Sequence, residues 1–126
     1  MLTRPFGATS QSEQIVAGEI AGFGLRASII SWGATVQDLR LDGYPHPLVL
    51  GFTTLQDYID HSQHHGAIAG RVINRIAGGK AVINGTEYSL DVNLDGRHTL
   101  HGGRHGFGVR GWQVAAHEHN MMLLTL

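Results

Sequence analysis

The stretch Thr99–Trp112, TLHGGRHGFGVRGW, sets two histidines and two arginines among five glycines. Neither a core strand nor a simple turn requires that mixture. A strand end followed by Gly102 and Gly103 lets a polar ligand approach the backbone closely, and the imidazole of His101 can donate or accept one hydrogen bond near neutral pH. The bland use of His101 is a satisfied turn histidine. A second stretch, Ala69–Gly79 (AGRVINRIAGG), holds Arg71, Asn74 and Arg75 in an otherwise apolar, glycine-bounded setting. Arginine among apolar residues needs a partner. For Arg71 a carboxylate or backbone carbonyl serves as well as a ligand, whereas for Arg75 a ligand is favoured. A guanidinium is a rigid fan of donors and an amide offers both donor and acceptor, a pairing suited to vicinal hydroxyls and a ring oxygen.

Nine histidines also raise the question of a metal, since eight of them fall in groups: His61, His64 and His65; His98, His101 and His105; His117 and His119. A strand would put His117 and His119 on one face, and a helix would bring His98, His101 and His105 to one side. Gly102-Gly103 breaks any such helix, and the segment contains no Asp or Glu to orient a ligand. The sequence is therefore read without a metal site. Trp32 and Trp112 each sit in a strand-like run and are read as core or rim, not as platforms for a ligand.

These residues must be positioned by a chain of 126 residues that is 42% hydrophobic and 15% charged, ordinary values for one globular domain. The 18 glycines, roughly twice the usual share, are scattered between short apolar runs, which favours tight turns and a β-rich fold. A net charge of −1 gives no footprint for nucleic acid or an acidic membrane. With no cysteine there is neither a disulfide framework nor a thiolate metal site, in keeping with a reducing cytoplasm. No apolar run has the length of a signal-peptide core or a membrane span.

Gly24–Leu41 reads as two strands broken near Gly33, and Leu48–Leu50 as a further short strand after the Asp42–Pro47 turn. Thr53 and Gln56 have capping-box spacing, with Leu55, Tyr58 and Ile59 on one face of the single short helix. Asn84-Gly85 between two β-forming runs predicts a two-residue hairpin. Trp112–Ala116 and Met121–Leu126 read as strands. The second of these ends the chain while still apolar, which points to a fold incomplete at its C-terminus.

GRVINRI, INGTEYSL and TLHGGRHGF, in that order and spacing, resemble the aldose 1-epimerases, also called galactose mutarotases. SWGATVQDLRL is similar to the family's early strand pair and LVLGFTTLQDYI to its strand followed by a short helix, so the similarity runs from about Phe6 onward. The resemblance implies an all-β antiparallel sandwich, with residues 1–126 as the N-terminal part of a single mutarotase-like domain. It implies interconversion of the α and β anomers of free aldohexoses such as galactose and glucose, with neither metal nor organic cofactor. On the same basis Asn74 and Arg75 match the substrate-binding pair, and His101 matches the His-Gly-Gly histidine that assists at the sugar ring. The family's general-acid histidine and general-base glutamate match no position here, which implies a partial sequence with little or no activity alone. Two alternatives share the fold: a non-catalytic sugar-binding or regulatory module, and a hexose-6-phosphate epimerase in which Arg71, Arg97 and Arg104 contact phosphate.

Overall fold

The computed structural model describes residues 2–62 and 64–126. It is built on a four-stranded antiparallel sheet of β1 (Arg4–Ala8), β2 (Gln14–Gly22), β3 (Leu25–Ile30) and β4 (Thr35–Leu41), in that spatial order. One face of the sheet carries Ile15, Ala17 and Ile30, which close with Leu55 and Tyr58 of the helix α1 (Leu55–His61) into the core. Phe6, Trp32 and Phe52 pack against that cluster. Tyr58 is the pivot: its ring meets Phe52 edge-on at 5.3 Å and Phe6 at 6.2 Å, and its hydroxyl accepts the Phe52 N–H at 3.1 Å. Burial pushes the Tyr58 hydroxyl above the usual tyrosine range, with the negative charge of Asp38 adding to the effect and the Phe52 N–H opposing it.

The helix is short because Thr54 caps it from one side and the chain turns extended at Ser62 on the other. Thr54 Oγ1 accepts the Asp57 N–H at 3.2 Å and donates to the Asp57 carboxylate at 2.6 Å. This corrects the sequence expectation, which placed the cap at Thr53 with Gln56. A carboxylate two residues into the first turn both completes the cap and meets the positive end of the helix. Leu55 and Tyr58 face the core as expected, while Ile59 remains 42% exposed.

Leu48–Leu50 is not a strand. Leu48 donates one backbone hydrogen bond to Leu39, but Pro45 and Pro47 just before it leave that segment without a ladder. The remaining elements are small antiparallel pairs: β5 (Arg75–Ile76) with β8 (Thr99–Leu100), β6 (Lys80–Ile83) with β7 (Thr86–Ser89), and β9 (Gln113–His117) with β10 (Met122–Thr125). Two 3-10 turns, at Ala77–Gly79 and Phe107–Val109, complete the order. The β6–β7 hairpin turns on Asn84 and Gly85, both at positive φ, as the Asn-Gly signature predicts. The β9–β10 pair lies across β2, where His117 Nε2 is 2.8 Å from the carbonyl of Glu19 and the N–H of Ala21 donates to the carbonyl of His119 at 2.8 Å. Gly18 permits that approach, since a Cβ there would press on the His117 ring and on Met122. The fold is all-β and sandwich-like, with one α-helix among the described residues.

Candidate functional site

The sheet delivers the site through its β3–β4 turn. Gly33, in the left-handed region at φ +64°, accepts the Ile68 N–H and donates to the carbonyl of Arg110, so the segments 64–70 and 107–112 are docked on the same turn. A Cβ on Gly33 would run into the carbonyl of Gly108. The two docked segments are also tied to each other by the Phe107 N–H donating to the carbonyl of Gly70 at 3.1 Å. From this anchor the chain continues into β5 and returns through β8.

The β5–β8 ladder sets Arg75 opposite Leu100 and Ile76 opposite Thr99, which makes Asn74 and His101 neighbours at the open end. They exchange two hydrogen bonds. The N–H of His101 donates to the carbonyl of Asn74, and the N–H of Asn74 donates to Nδ1 of His101, each at 3.0 Å. Because Nδ1 accepts, the proton of the neutral ring resides on Nε2, which leaves that nitrogen as a donor for a ligand. Arg75 extends the chain: its guanidinium donates to the amide oxygen of Asn74 at 3.0 Å. Asn74 and Arg75 are exposed and His101 is half-buried.

Asn74 at φ +62° and His101 at φ +50° both occupy the left-handed region, as does His64 at φ +65°. Non-glycine residues there cost of order 1 kcal/mol each and persist where the surroundings over-determine them. Here the surroundings include Asn93, which sequence reasoning missed. Its side chain accepts the Leu100 N–H at 2.7 Å and donates to the Leu100 carbonyl at 2.9 Å, standing in for a third strand beside β8. Thr99 is held from the same side by its hydroxyl donating to the carbonyl of Asp91 at 2.7 Å. The sequence signal was only an Asn within DVNLDG, which reads equally well as a turn residue.

His64 was the second omission, since it stood only in a metal-candidate group. Its ring meets that of His101 edge-on, with centroids 4.7 Å apart and planes at 62°. Burial, and secondarily the charge of His101, hold His64 below the usual histidine range. Three other grouped histidines serve packing or turns. His65 stacks on Phe52 at 6.2 Å, His61 lies 6.5 Å from the same ring, and His98 Nδ1 accepts the Gly78 N–H at 3.1 Å. No cluster of three or more His, Cys, Asp or Glu residues suited to a metal occurs among the described residues.

The arginines divide. Arg71 lies over the Phe107 ring at 5.4 Å. Arg104 is ion-paired with Asp91 at 2.9 Å, and its backbone N–H donates to the same carboxylate. Trp32 is partly buried against the core, and Trp112 donates its indole N–H to the carbonyl of Phe107 at 3.0 Å while meeting that ring edge-on, so both are structural. Two larger hollows flank the glycine loop. One of about 600 Å³ is lined by residues including Glu13, Trp32, Tyr58 and Arg110, and one of about 390 Å³ by residues including Arg71, Ile76, Thr99 and Phe107. Neither is lined by Asn74, Arg75 or His101, which form an open cluster on the ribbon instead.

The family model for aldose 1-epimerase matches residues 19–126. The chain belongs to the aldose 1-epimerase family. It is 43% identical over 91 residues to the galactose mutarotase of Sus scrofa, a match covering 70% of this chain and 26% of that protein. It is 35% identical over 128 residues to a probable aldose 1-epimerase of Arthroderma benhamiae, covering 95% of this chain and 29% of the relative. The crystal structure of the GalM/aldose epimerase homologue from C. elegans superposes with a TM-score of 0.72 at 36% identity, over 81% of this chain and 33% of that one. Galactose 1-epimerase from Lactobacillus acidophilus shares the fold at a TM-score of 0.73, with 18% identity over 92% of this chain and 34% of that chain. The chain thus spans roughly a quarter to a third of the length of these relatives, which fits its reading as an N-terminal part of the family. No helix among the described residues is long and apolar enough to cross a membrane.

Proposed function

We propose that Asn74, Arg75 and His101 form one wall of a site for a free aldohexose such as galactose or glucose, within a fold whose reaction is interconversion of the α and β anomers. Mutarotation opens a cyclic hemiacetal. A base takes the proton of the C1 hydroxyl, an acid protonates the ring oxygen, the C1–C2 bond rotates, and the ring closes on the opposite face. Each proton-transfer group typically contributes about 10²- to 10⁴-fold.

In this reading the Nε2–H of His101 donates to an oxygen at the sugar ring and the Arg75 guanidinium donates to neighbouring hydroxyls. The amide of Asn74 adds a donor of its own and holds Arg75 in place. The opposed acid and base come from outside this trio, and the 126-residue chain supplies recognition rather than turnover. One observation carries the proposal: the unbroken hydrogen-bond chain from Arg75 through Asn74 to His101. The names of the matched relatives, galactose mutarotase and aldose 1-epimerase, support it.

The test is a titration of the chain with galactose, followed by amide and side-chain nitrogen NMR. Saturable shifts are expected at Asn74, Arg75 and His101, and they should disappear in His101→Ala. Polarimetry of freshly dissolved α-galactose should show no acceleration over buffer. Shifts that avoid all three residues would overturn the sugar site, and rapid equilibration would overturn the division between recognition and turnover.

A further inference from the structure

We propose that His64 is a positioning residue for His101, its ring fixing the plane of the His101 imidazole so that Nε2–H is presented to the bound sugar in one orientation. The inference rests on the reading of His101 as a sugar contact, but it concerns a different residue and a different contact. A single hydrogen bond, from the Asn74 N–H to Nδ1, fixes one atom of the imidazole and leaves the ring free to tilt about that contact. An edge-on neighbour with centroids 4.7 Å away and planes at 62° removes that freedom.

His64 is itself immobilised on three sides. Its backbone occupies the left-handed region at φ +65°. Its N–H donates to the Ser62 hydroxyl at 3.1 Å, and its carbonyl accepts the Ala67 N–H at 3.2 Å. Its Nδ1 is shut away from solvent without a hydrogen-bond partner, against Gly108, where a Cβ would come within 3.0 Å of that nitrogen. A buried polar atom without a partner carries a free-energy cost. Desolvation also favours the neutral ring, which spares His101 a cation at its side.

The experiment compares wild type, His64→Leu and His64→Phe in the full chain. The readouts are the ring-nitrogen shifts of His101, which report its tautomer, and affinity for galactose. His64→Leu keeps bulk but loses the ring. By letting the His101 ring tilt off the Asn74 N–H that sets its tautomer, it should blur the single-tautomer pattern and weaken galactose binding roughly tenfold, the value of about one hydrogen bond. His64→Phe should restore both. Wild-type behaviour in His64→Leu overturns the proposal, and so does a failure of Phe to rescue. Should the Leu variant not fold, His64→Gln replaces it, and the wild type supplies a variant-free arm: absence of an Overhauser contact between the two rings overturns the inference. If galactose does not bind wild type at all but the His101 tautomer still follows position 64, the sugar reading fails while the positioning role stands.

Discussion

Asn74 and His101 are joined by a reciprocal pair of 3.0 Å hydrogen bonds in which the histidine ring, not its carbonyl, receives the asparagine N–H. A ladder that would normally close on two backbone groups instead spends one donor on a side chain. The ring is thereby tied to the ribbon that carries Arg75.

The loop after His101 depends on Gly102. At φ +91° a side chain is strained, and a Cβ would collide with the carbonyl of Gly70. Gly102→Ala is expected to lower stability by roughly 2 kcal/mol or more, because backbone strain and overpacking add. The check is the urea midpoint at constant m-value. A midpoint within error of wild type would contradict the close approach.

Arg75→Lys retains the charge but not the planar fork that reaches Asn74 and a ligand together. Galactose affinity should fall about five- to tenfold by titration calorimetry, with thermal stability unchanged, since the side chain is exposed. An affinity equal to wild type would show that charge alone suffices.

Tyr58→Phe removes the acceptor of the Phe52 N–H while preserving the aromatic contacts with Phe6 and Phe52. A loss of about 1 kcal/mol is expected. Leu55→Ala, in the same cluster, should cost about 2 to 5 kcal/mol. Denaturant unfolding of both variants orders the two effects, and the reverse order would mean the core is not centred where these residues meet.

Acidification should destabilise the fold through His64. Its folded-state value lies below the ordinary 6.5 because burial, and then the charge of His101, disfavour the cation. Between that lowered value and 6.5 the unfolded chain binds more protons than the native one, so stability rises with pH across the window. The contribution is fully present above about pH 6.5 and is lost as pH falls through the folded value. Comparing urea midpoints at mildly acidic and neutral pH in wild type and His64→Phe isolates it, since the other histidines are common to both. Equal acid sensitivity in the two proteins would rule it out.

Much of the fold was legible from local chemistry. Asn84-Gly85 specifies its hairpin because both residues tolerate positive φ, and the break at Gly33 separates β3 from β4 for the same reason. Phe6–Gly22, by contrast, gave no strand expectation, although β1 and β2 build half of the main sheet. Their pattern is diluted by glycine and alanine, and pairing with β3 determines their conformation. Leu48–Leu50 failed in the opposite direction, an apolar run with strand propensity that makes one backbone hydrogen bond to the edge strand β4 and no ladder, since Pro45 and Pro47 just before it have no N–H to donate.

Residue types and order therefore determined which side chains are equipped to grip polar hydroxyls, where the chain turns, and which family it belongs to, because these depend on near neighbours along the backbone. Tertiary structure alone decided that Asn74 fixes the His101 tautomer, that Asn93 substitutes for a missing strand beside Leu100, and that His64 lies against His101. Those relations arise from β5 meeting β8 and from two distant segments docking on Gly33. Contacts between residues far apart in sequence are set by how the whole sheet closes, which no local pattern encodes.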